Sequence, residues 1–496
     1  MKKLYLLLIA AMAFVACDNK EPAPQSSLKL LGDQSTELHF EGWADFESIT
    51  FDAPVNWMII IDDNAEWFKV TPLYGEAGES TISVEVFDYN GEAKREGGFA
   101  IVAGDQRIEF TVTQLSSTDP NSDYVYIEDE NFEMYLIRMF DANGDERIDK
   151  SEAAKVTKIA CSDNEIRSLE GIKNFPALEI LDCSYNVIEG TLDLSGMESL
   201  KEAYLDHNLY THINLAGCSN LRIVEANDNV EHTPEYTSIF RTESIDLSGC
   251  GELLYLELTD NGITEIDLSE CPKLQALRMT WNALKSIDVT KNPELTHFYV
   301  RKNPDLTGVI DLSNNTKLVE VWCAESKVSG LNLSNDHSSL EKIVSYYSDI
   351  ESLDLSTCPN LRYLEAHGMK LTSIDLTQCS KLDYLWLKFN AITELDLTNC
   401  PEVTEVQVGG NKIGSLDMSH CPNILLLEVA NNALTEVNLS GCTRLESLDL
   451  SANQLTELDL SDCDKLFSAS VSENKLSTLD VSGKPELVVL SCSFNQ

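Results

Sequence analysis

The stretch Leu445-Glu-Ser-Leu-Asp-Leu-Ser-Ala-Asn-Gln-Leu-Thr-Glu-Leu-Asp-Leu-Ser-Asp-Cys-Asp-Lys465 decides the fold, because similar units follow one another along most of the sequence. Its cysteine belongs to a series with a spacing of 21 residues: Cys358, Cys379, Cys400, Cys421, Cys442 and Cys463. A unit this short cannot bury its apolar face alone, so successive units must stack into a solenoid. The sequence therefore predicts a mainly β chain with a long open surface.

Each unit divides its side chains between an interior and a surface. Leucine and isoleucine are expected to point inward, on parallel strands stacked about 4.8 Å apart. The asparagine is expected to hydrogen-bond buried backbone at a turn, and its copies in the regular coils are Asn390, Asn411, Asn432, Asn453, Asn474 and Asn495. An aspartate series that includes Asp375 and Asp396 is expected on the convex surface, either solvated or compensated by hydrogen bonds to neighbouring turns or by loosely held cations.

The unit can be written L-x-x-L-x-L-x-x-N-x-L-x-x-L-D-L-S-x-C-x-x, and it resembles bacterial leucine-rich repeats. The resemblance covers residues 156–496 and implies a leucine-rich repeat solenoid of 21-residue coils. In that fold the segment L-x-x-L-x-L forms a concave sheet, and its x positions face the ligand. A binding surface on these positions is therefore the first functional expectation.

The cysteines raise the question of disulfides, since the chain contains 14 of them and has a predicted export signal. Adjacent members of the cysteine series would approach within about 5 Å between Cα atoms, which is within disulfide range. Stacked side chains point in parallel, however, rather than toward each other. Free buried thiols are favoured, and pairing remains the alternative.

The N-terminus has the pattern of an export signal. Residues 1–17 contain Met1-Lys2-Lys3, an apolar run and Cys17, and the run is too short to span a bilayer. The segment Phe14-Val15-Ala16-Cys17 resembles a bacterial lipobox, which implies that Cys17 is acylated; a simple secretory peptide is the alternative. Residues 18–27 resemble the acidic tether of Bacteroidota-type surface lipoproteins. We therefore expect an outer membrane lipoprotein exposed at the cell surface, attached only by its lipid, with a periplasm-facing anchor as the alternative.

Residues 28–116 show the alternation of short strands that is typical of an antiparallel β-sandwich. The order of its residues resembles the BACON domain, on Trp57, Trp67, Thr71-Pro72, Gly75, Gly78, Val84, Val86, Asn90, Arg95, Gly97 and Thr111 to Gln114. The resemblance implies either carbohydrate binding or a spacer role. Trp43, Trp57 and Trp67 could stack on sugars, although tryptophans of a small sandwich more often lie in its core. A polar linker is expected at residues 117–123.

Residues 124–155 are predicted to form a short helical cap around an acidic loop. A helix is expected from Asn131 to Phe140, with an apolar stripe that includes Met139. The next 12 residues resemble the EF-hand loop, which implies a structural Ca²⁺ held by Asp141, Asn143, Asp145, Arg147, Asp149 and Glu152. Glu146 departs from that pattern, which has glycine at this position. A solvated acidic turn is the alternative.

Composition and motifs exclude several classes of function. The formal net charge of -46 repels nucleic acid, so nucleic-acid binding is not expected. The sequence contains neither a nucleophile elbow nor a zinc-protease motif nor a phosphate-binding glycine loop, so an enzyme is not expected. The chain is expected to act as a monomer.

Aromatic and cationic residues concentrate at the x positions of the middle coils, whereas the last coils carry serine there. The candidate ligand-binding residues are Tyr255, Arg278, Trp281, Tyr299, Trp322, Tyr346, Tyr363, Tyr384, Trp386 and Phe389. Such residues on one exposed surface have the composition of a recognition hot spot. They also raise strand propensity and cross-strand packing, which is the structural alternative. The favoured function is adhesin-like binding of an extracellular protein or glycoprotein. The alternatives are a lipoprotein that captures polysaccharide through the BACON-like domain or the repeat tryptophans, and an envelope scaffold.

Overall fold

The computed structural model describes residues 27–63, 65–91, 93–232, 238–240 and 242–496. The predicted export signal, Cys17 and nearly all of the tether lie outside these residues. The chain divides into two compact units, Met1–Tyr126 and Ile127–Gln496. In the described ranges, no helix is long and apolar enough to cross a membrane.

The first unit is a β-sandwich, in agreement with the alternation of its sequence. Its strands, over the described residues, are β1 (Lys29–Leu30), β2 (Glu37–Phe40), β3 (Asp45–Ala53), β4 (Trp57–Ile61), β5 (Phe68–Thr71), β6 (Tyr74–Gly75), β7 (Gly78–Val86), β8 (Arg95–Ala103) and β9 (Gln106–Gln114). They form two sheets of order β1-β3-β7-β5 and β2-β9-β8-β4-β6. The β2 and β9 strands are parallel, and the other paired strands are antiparallel.

The tryptophans of the sandwich are engaged within the first unit. Trp57 is buried, and its ring lies edge-on to Phe51 with centroids 4.9 Å apart. Trp67 packs against the same core and carries the Arg95 guanidinium 4.5 Å above its ring. The Trp43 ring stacks on Tyr126 at 6.2 Å.

The predicted linker, residues 117–123, is not a free spacer. The backbone N–H of Ser117 donates to the carbonyl of Tyr89 at 2.8 Å, and Ser117 and Ser122 are buried. The segment belongs to the first unit because its backbone finds partners there.

The second unit begins with two helices, α1 (Glu130–Phe140) and α2 (Lys150–Ala153). Asp129 caps α1 by accepting from the Phe132 N–H at 2.9 Å. Phe132 and Leu136 are fully buried, whereas Met139 is 55% exposed. The prediction that Met139 belongs to the buried stripe of the helix was therefore wrong, because the last turn of α1 extends past the surface that the helix covers.

The strands of the second unit are short and recur once or twice per coil. Over the described residues they are β10 (Lys158–Ala160), β11 (Ile180–Asp182), β12 (Glu189–Asp193), β13 (Glu202–Tyr204), β14 (Leu209–Asn214), β15 (Ile223–Glu225), β16 (Val230–His232), β17 (Ser238–Phe240), β18 (Ser244–Asp246), β19 (Tyr255–Glu257), β20 (Ala276–Arg278), β21 (His297–Tyr299), β22 (Thr307–Asp311), β23 (Glu320–Trp322), β24 (Lys327–Asn332), β25 (Lys342–Val344), β26 (Tyr363–Glu365), β27 (Tyr384–Trp386), β28 (Glu405–Gln407), β29 (Ser415–Asp417), β30 (Leu426–Glu428), β31 (Glu436–Asn438), β32 (Ser447–Asp449), β33 (Ser468–Ser470) and β34 (Val489–Ser491). A 3₁₀ turn, Ile172–Asn174, lies in the first coils.

One parallel sheet runs along the whole solenoid. Counted over the described residues it has 16 strands, in the order β10-β11-β13-β15-β19-β20-β21-β23-β25-β26-β27-β28-β30-β32-β33-β34. Smaller pairings lie beside it: β12-β14-β18, β22-β24, β29-β31 and the antiparallel hairpin β16-β17. The predicted mainly β solenoid of 21-residue coils is confirmed.

The asparagine series hydrogen-bonds the interior backbone, as its sequence position predicts. Asn453 Nδ2 donates to the carbonyls of Val429 and Leu450 at 2.9 and 3.0 Å, and its Oδ1 accepts from Leu434 N at 3.0 Å. Each asparagine thus joins consecutive coils. Ser326, Ser348 and Met369 replace it in three successive coils.

The cysteine series is buried, and the cysteines of the described ranges form no disulfide. The series is interrupted in the middle coils, where Asn292, Asn315 and His337 occupy its position and are fully buried. Asn292 Nδ2 donates to the carbonyls of Leu268 and Cys271, so this amide takes the role of a thiol with stronger hydrogen bonds.

The convex aspartates are compensated within their own turns. Asp396 Oδ1 accepts from the backbone N–H of Thr398 at 2.9 Å, and the Thr398 hydroxyl and amide lower the pKa of Asp396. The same bond from the residue two positions on recurs at Asp246, Asp267, Asp288, Asp354, Asp375, Asp417, Asp459 and Asp480. These local bonds offset part of the repulsion between stacked carboxylates.

Candidate functional site

The strands of the long sheet are three residues long, and this length determines what faces the concave surface. The middle residue points inward and its two neighbours point outward. In β21, Phe298 is fully buried between half-buried His297 and Tyr299. Each coil therefore presents two side chains from its strand, aligned with those of the next coil.

Seven of the predicted ligand-binding residues form one connected surface, which we call the concave row: Tyr255, Arg278, Tyr299, Trp322, Tyr363, Tyr384 and Trp386, linked through Lys342. The Arg278 guanidinium lies 5.5 Å from the Tyr255 ring and 5.4 Å from the Tyr299 ring. Tyr299 and Trp322 pack with centroids 5.3 Å apart.

Lys342 continues the row toward the later coils. Its ammonium lies 4.7 Å above the Trp322 ring and 4.4 Å above the Tyr363 ring. Tyr363 in turn packs on Tyr384 at 5.7 Å and on Trp386 at 5.6 Å. The concave row thus spans β19 to β27 without a gap.

Glutamates hold the polar ends of these aromatic rings. Glu320 accepts from the Tyr299 hydroxyl at 2.8 Å and from Trp322 Nε1 at 3.0 Å. Trp386 Nε1 donates to Glu405 at 2.9 Å, and Tyr363 donates to Glu365 at 3.1 Å. The rings are therefore held in place before any ligand arrives, which lowers the entropy cost of binding.

Burial and these carboxylates keep the tyrosines protonated. Burial, with the hydrogen bond to Glu320, raises the pKa of Tyr299. Burial and the neighbouring glutamates Glu257 and Glu365 likewise raise the pKa of Tyr255 and of Tyr363. The hydroxyls therefore remain hydrogen-bond donors at any physiological pH.

Tyr346 lies beside the concave row rather than in it. It follows β25 by two residues and stacks on His367 with centroids 4.6 Å apart. The Arg301 guanidinium lies 5.8 Å from its ring, and its hydroxyl donates to Glu325 at 3.2 Å. Tyr346 and His367 form a separate aromatic cluster on the neighbouring edge of the sheet.

Trp281 and Phe389 are not on the concave strands, so their predicted placement was wrong. β20 and β27 end three residues earlier, at Arg278 and Trp386. Trp281 and Phe389 have φ angles of 57° and 56°, which belong to the left-handed region. This conformation turns the chain out of the strand direction and places both side chains on the rim of the solenoid.

The glutamates of the concave row were missed by the sequence reading, although a signal for them existed. Glu257 and Glu365 stand two residues after Tyr255 and Tyr363 in the x-L-x part of the unit, so each pair shares one face of a strand. Glu320 and Glu405 make their bonds in part across coils, to Tyr299 and Trp386. Those pairings depend on the register of stacked coils.

The acidic loop folds around its own amides. Asp141 accepts from Gly144 N at 2.6 Å and Glu146 N at 2.9 Å, and buried Glu152 accepts from Ala142 N at 2.7 Å. Glu146 has a φ of 63°, the conformation for which EF-hand loops use glycine. Among the described residues, no three His, Cys, Asp or Glu side chains are arranged to hold a metal. The donor set, all oxygen, nevertheless has the chemistry that Ca²⁺ requires.

Solved structures similar to this chain share its repeat architecture. The functional domain of InlJ from Listeria monocytogenes, which includes a cysteine ladder, is 27% identical with a TM-score of 0.57, and the match covers 74% of each chain. A leucine-rich repeat protein from Leptospira interrogans is 18% identical with a TM-score of 0.48, over 68% of this chain and 97% of that one. YopM from Yersinia enterocolitica is 23% identical with a TM-score of 0.47, over 69% and 79%.

No family model matches the chain, and neither does any curated protein. The fold class is that of a leucine-rich repeat solenoid, as the repeated unit and the sheet of parallel strands define it.

Proposed function

We propose that the protein is a non-enzymatic recognition protein that binds an extracellular protein or glycoprotein on the concave face of its solenoid. The observation that carries the proposal is the concave row, in which aromatic and cationic side chains contact one another continuously from Tyr255 to Trp386. Large, half-exposed aromatic rings with adjacent arginine and lysine dominate the energetics of protein interfaces.

Two further features support a large ligand. The surface is open and extended, whereas a small molecule needs a concave pocket that encloses most of its area. The rings are fixed in advance by Glu320, Glu365 and Glu405. Cross-strand packing explains why neighbouring rings touch, but it does not require tryptophan Nε1 groups to be anchored by surface carboxylates.

The cellular setting belongs to the same proposal. Export through residues 1–17, lipidation at Cys17 and display at the outer membrane surface would place the concave row where extracellular partners are met. Calcium would serve as a structural ion: Asp141, Asn143, Asp145, Asp149 and Glu152 would hold it with the Arg147 carbonyl. Bound there, it would hold the loop between α1 and α2 in one conformation.

A glycan ligand on the sandwich has less support. Trp57 is buried and Trp67 lies against the core beneath Arg95, so neither offers an open ring face to a sugar. An envelope scaffold without a ligand would not require the concave row.

The proposal is tested by a binding screen of residues 18–496 on parallel arrays of extracellular proteins and glycans. For each protein that is captured, affinity is then compared with that of Trp322→Ala/Trp386→Ala. The double variant removes two anchors of the concave row and is expected to weaken binding by roughly a thousandfold, since truncating each hot-spot residue costs about 2 kcal/mol.

Ser468→Ala/Ser470→Ala is the matched control, because these residues occupy the same two outward positions on β33. It should bind like the parent. Unchanged affinity in the tryptophan variant, with its circular dichroism and melting temperature intact, would rule out the concave row as the binding surface. If no protein on the array is captured, the envelope scaffold is the favoured function.

A further inference from the structure

The rim of the solenoid carries a second set of exposed rings, distinct from the concave row. In every coil the residue just before the position of the asparagine series adopts a left-handed conformation. Most coils place a small or polar residue there, such as Asn431 or Ala452. Tyr347 and Phe389 stand at this position with φ angles of 51° and 56°, and they are 56% and 62% exposed.

Neither fold stability nor local propensity explains these two rings. The left-handed conformation is strained for a bulky L-residue. Their exposure also leaves apolar area in water that an asparagine would not present. Residues that are both strained and exposed are expected where binding requires them.

Each ring packs against a glycine of the following coil through its Cδ1–Cε1 edge. A β-carbon at Gly410 would stand 2.6 Å from Phe389 Cδ1, and one at Gly368 would collide with Cδ1 and Cε1 of Tyr347. The glycines therefore leave room for the edge of each ring, and more than half of each side chain stays exposed. Tyr347 also contacts His367 and Tyr346 edge-to-face, with centroids 5.1 and 5.6 Å apart. The order Tyr347, Gly368, Phe389, Gly410 alternates ring and glycine along successive coils.

The spacing of this platform is regular. Coils stack about 4.8 Å apart, so the two rings recur at about 10 Å along the solenoid axis. The spacing between neighbouring coils is close to the length that one sugar adds to an extended pyranose chain. The spacing over two coils therefore matches the length of a disaccharide. Exposed aromatic rings at this interval suit contact with alternate sugar rings.

The charges beside the platform cancel locally. Lys388 Nζ lies 2.5 Å from Glu428 Oε2, and Lys370 Nζ lies 2.7 Å from Asp349 Oδ1. Burial lowers the pKa of His367, so its imidazole is neutral near pH 7. The ligand that complements this surface is uncharged, and the net charge of -46 repels acidic polysaccharides besides.

The ion pair at Phe389 also supplies hydrogen bonds. A β-carbon at position 409 would collide with Glu428 Oε1, so Gly409 leaves the room in which Glu428 reaches Lys388 two coils away. The Lys388 side chain is 31% exposed, so its ammonium can donate to a neighbouring hydroxyl. An exposed ring with a hydrogen-bond donor next to it in sequence is the chemistry of a sugar-binding subsite.

We propose that the rim from Tyr347 to Gly410 binds a neutral polysaccharide, with alternate sugars stacked on Tyr347 and Phe389. The site is separate from the concave row, so it stands whether or not a protein binds there.

The test is affinity electrophoresis of residues 18–496 in gels that contain soluble neutral polysaccharides: mixed-linkage β-glucan, xyloglucan, galactomannan or α-mannan. Polygalacturonate is the acidic comparison. The parent should be retarded by at least one neutral polymer and not by polygalacturonate. Tyr347→Asn/Phe389→Asn should bind that polymer about tenfold more weakly or worse, since each stacked ring contributes on the order of 1 kcal/mol.

Asparagine suits the left-handed position and already stands there at Asn431, so the variant should keep or raise the melting temperature. Tyr185→Asn is the matched control, because Tyr185 has the same left-handed position but stacks on His207 outside the platform. Tyr185→Asn and Trp322→Ala/Trp386→Ala should be retarded like the parent.

The proposal is overturned if no neutral polymer retards the parent, or if retardation survives Tyr347→Asn/Phe389→Asn. Loss of binding to a captured protein in that variant, without any glycan binding, would assign the rim to the protein interface instead.

Discussion

At the scale of single residues, the solenoid depends on small polar groups that have one fixed place. Asn453 joins its own coil to the preceding one through three hydrogen bonds of 2.9 to 3.0 Å. Each of the groups it pairs would otherwise be a buried backbone atom without a partner, at a cost of about 1–3 kcal/mol. The thiols of the cysteine series make weaker hydrogen bonds than the asparagines. They contribute to the packing of the solenoid because they are small enough to fit at the turn.

Burial makes these thiols unreactive. It raises the pKa of Cys323 to about 12 and that of Cys400 to about 11. At pH 8 roughly one Cys400 in a thousand would be thiolate, the form that reacts. Cys492 is exposed. Among the cysteines of residues 127–496, iodoacetamide should therefore label Cys492 first in the native protein at pH 8, as read by peptide mass spectrometry.

Unfolding in guanidinium is the control, and it should make every thiol of the series reactive at a similar rate. Native labelling of Cys400 as fast as Cys492, or a peptide pair joined through two members of the cysteine series, would contradict the burial of free thiols.

At the scale of elements, α1 and the acidic loop close the first edge of the solenoid. The hydroxyl of Tyr135 accepts from Ala160 N in β10 at 3.0 Å, so the helix satisfies an edge-strand amide. Ile148 of the loop is buried, and the Asp149–Glu152 capping box begins α2. The conformation of the loop is therefore coupled to the cover of the solenoid edge.

If calcium binds this loop, millimolar Ca²⁺ should raise the melting temperature of the protein, because a ligand of the folded state alone stabilises it. Glu152→Gln keeps the side-chain shape but lowers the charge at the position that gives two oxygens in an EF-hand. The calcium-dependent rise in melting temperature should disappear in Glu152→Gln. Calorimetry of samples with calcium and with EDTA measures this rise in both proteins.

Glu133→Gln is a suitable control, since Glu133 lies on α1 outside the predicted ligands. Its calcium response should equal that of the parent. An unchanged melting temperature of the parent in calcium would show that the loop is a solvated acidic turn.

At the scale of the whole molecule, the proposed recognition and the proposed attachment belong to different parts of the chain. The boundary between the two compact units falls between Tyr126 and Ile127, and both proposed binding surfaces lie in the second unit. A charge of -46 also favours steering of basic partners over long distances at low salt.

Residues 127–496 alone should therefore bind any captured protein with the affinity of the longer chain, within about twofold. Surface plasmon resonance with both forms measures this, and the isolated first unit is the control, which should not bind. Loss of affinity in residues 127–496 despite an unchanged circular dichroism spectrum would assign the binding to the sandwich.

Much of the fold follows from local, repeated information. A 21-residue period with inward leucines permits one solution, a stack of coils, and the asparagine and aspartate positions acquire their roles from that stack. The segment around Leu445 therefore determines its own coil and, by repetition, most of the others. The sandwich strands follow from alternation in the same way.

The tertiary structure decided what no single coil contains. Sequence position placed Trp281 and Phe389 with the concave strands, but both residues adopt a left-handed conformation after the strand ends, and this turns them onto the rim. Lys388 and Glu428 meet because three stacked coils bring them together over Gly409. The period is a local property that any one unit displays, whereas contacts between coils depend on register and backbone handedness, which exist only once the coils are stacked.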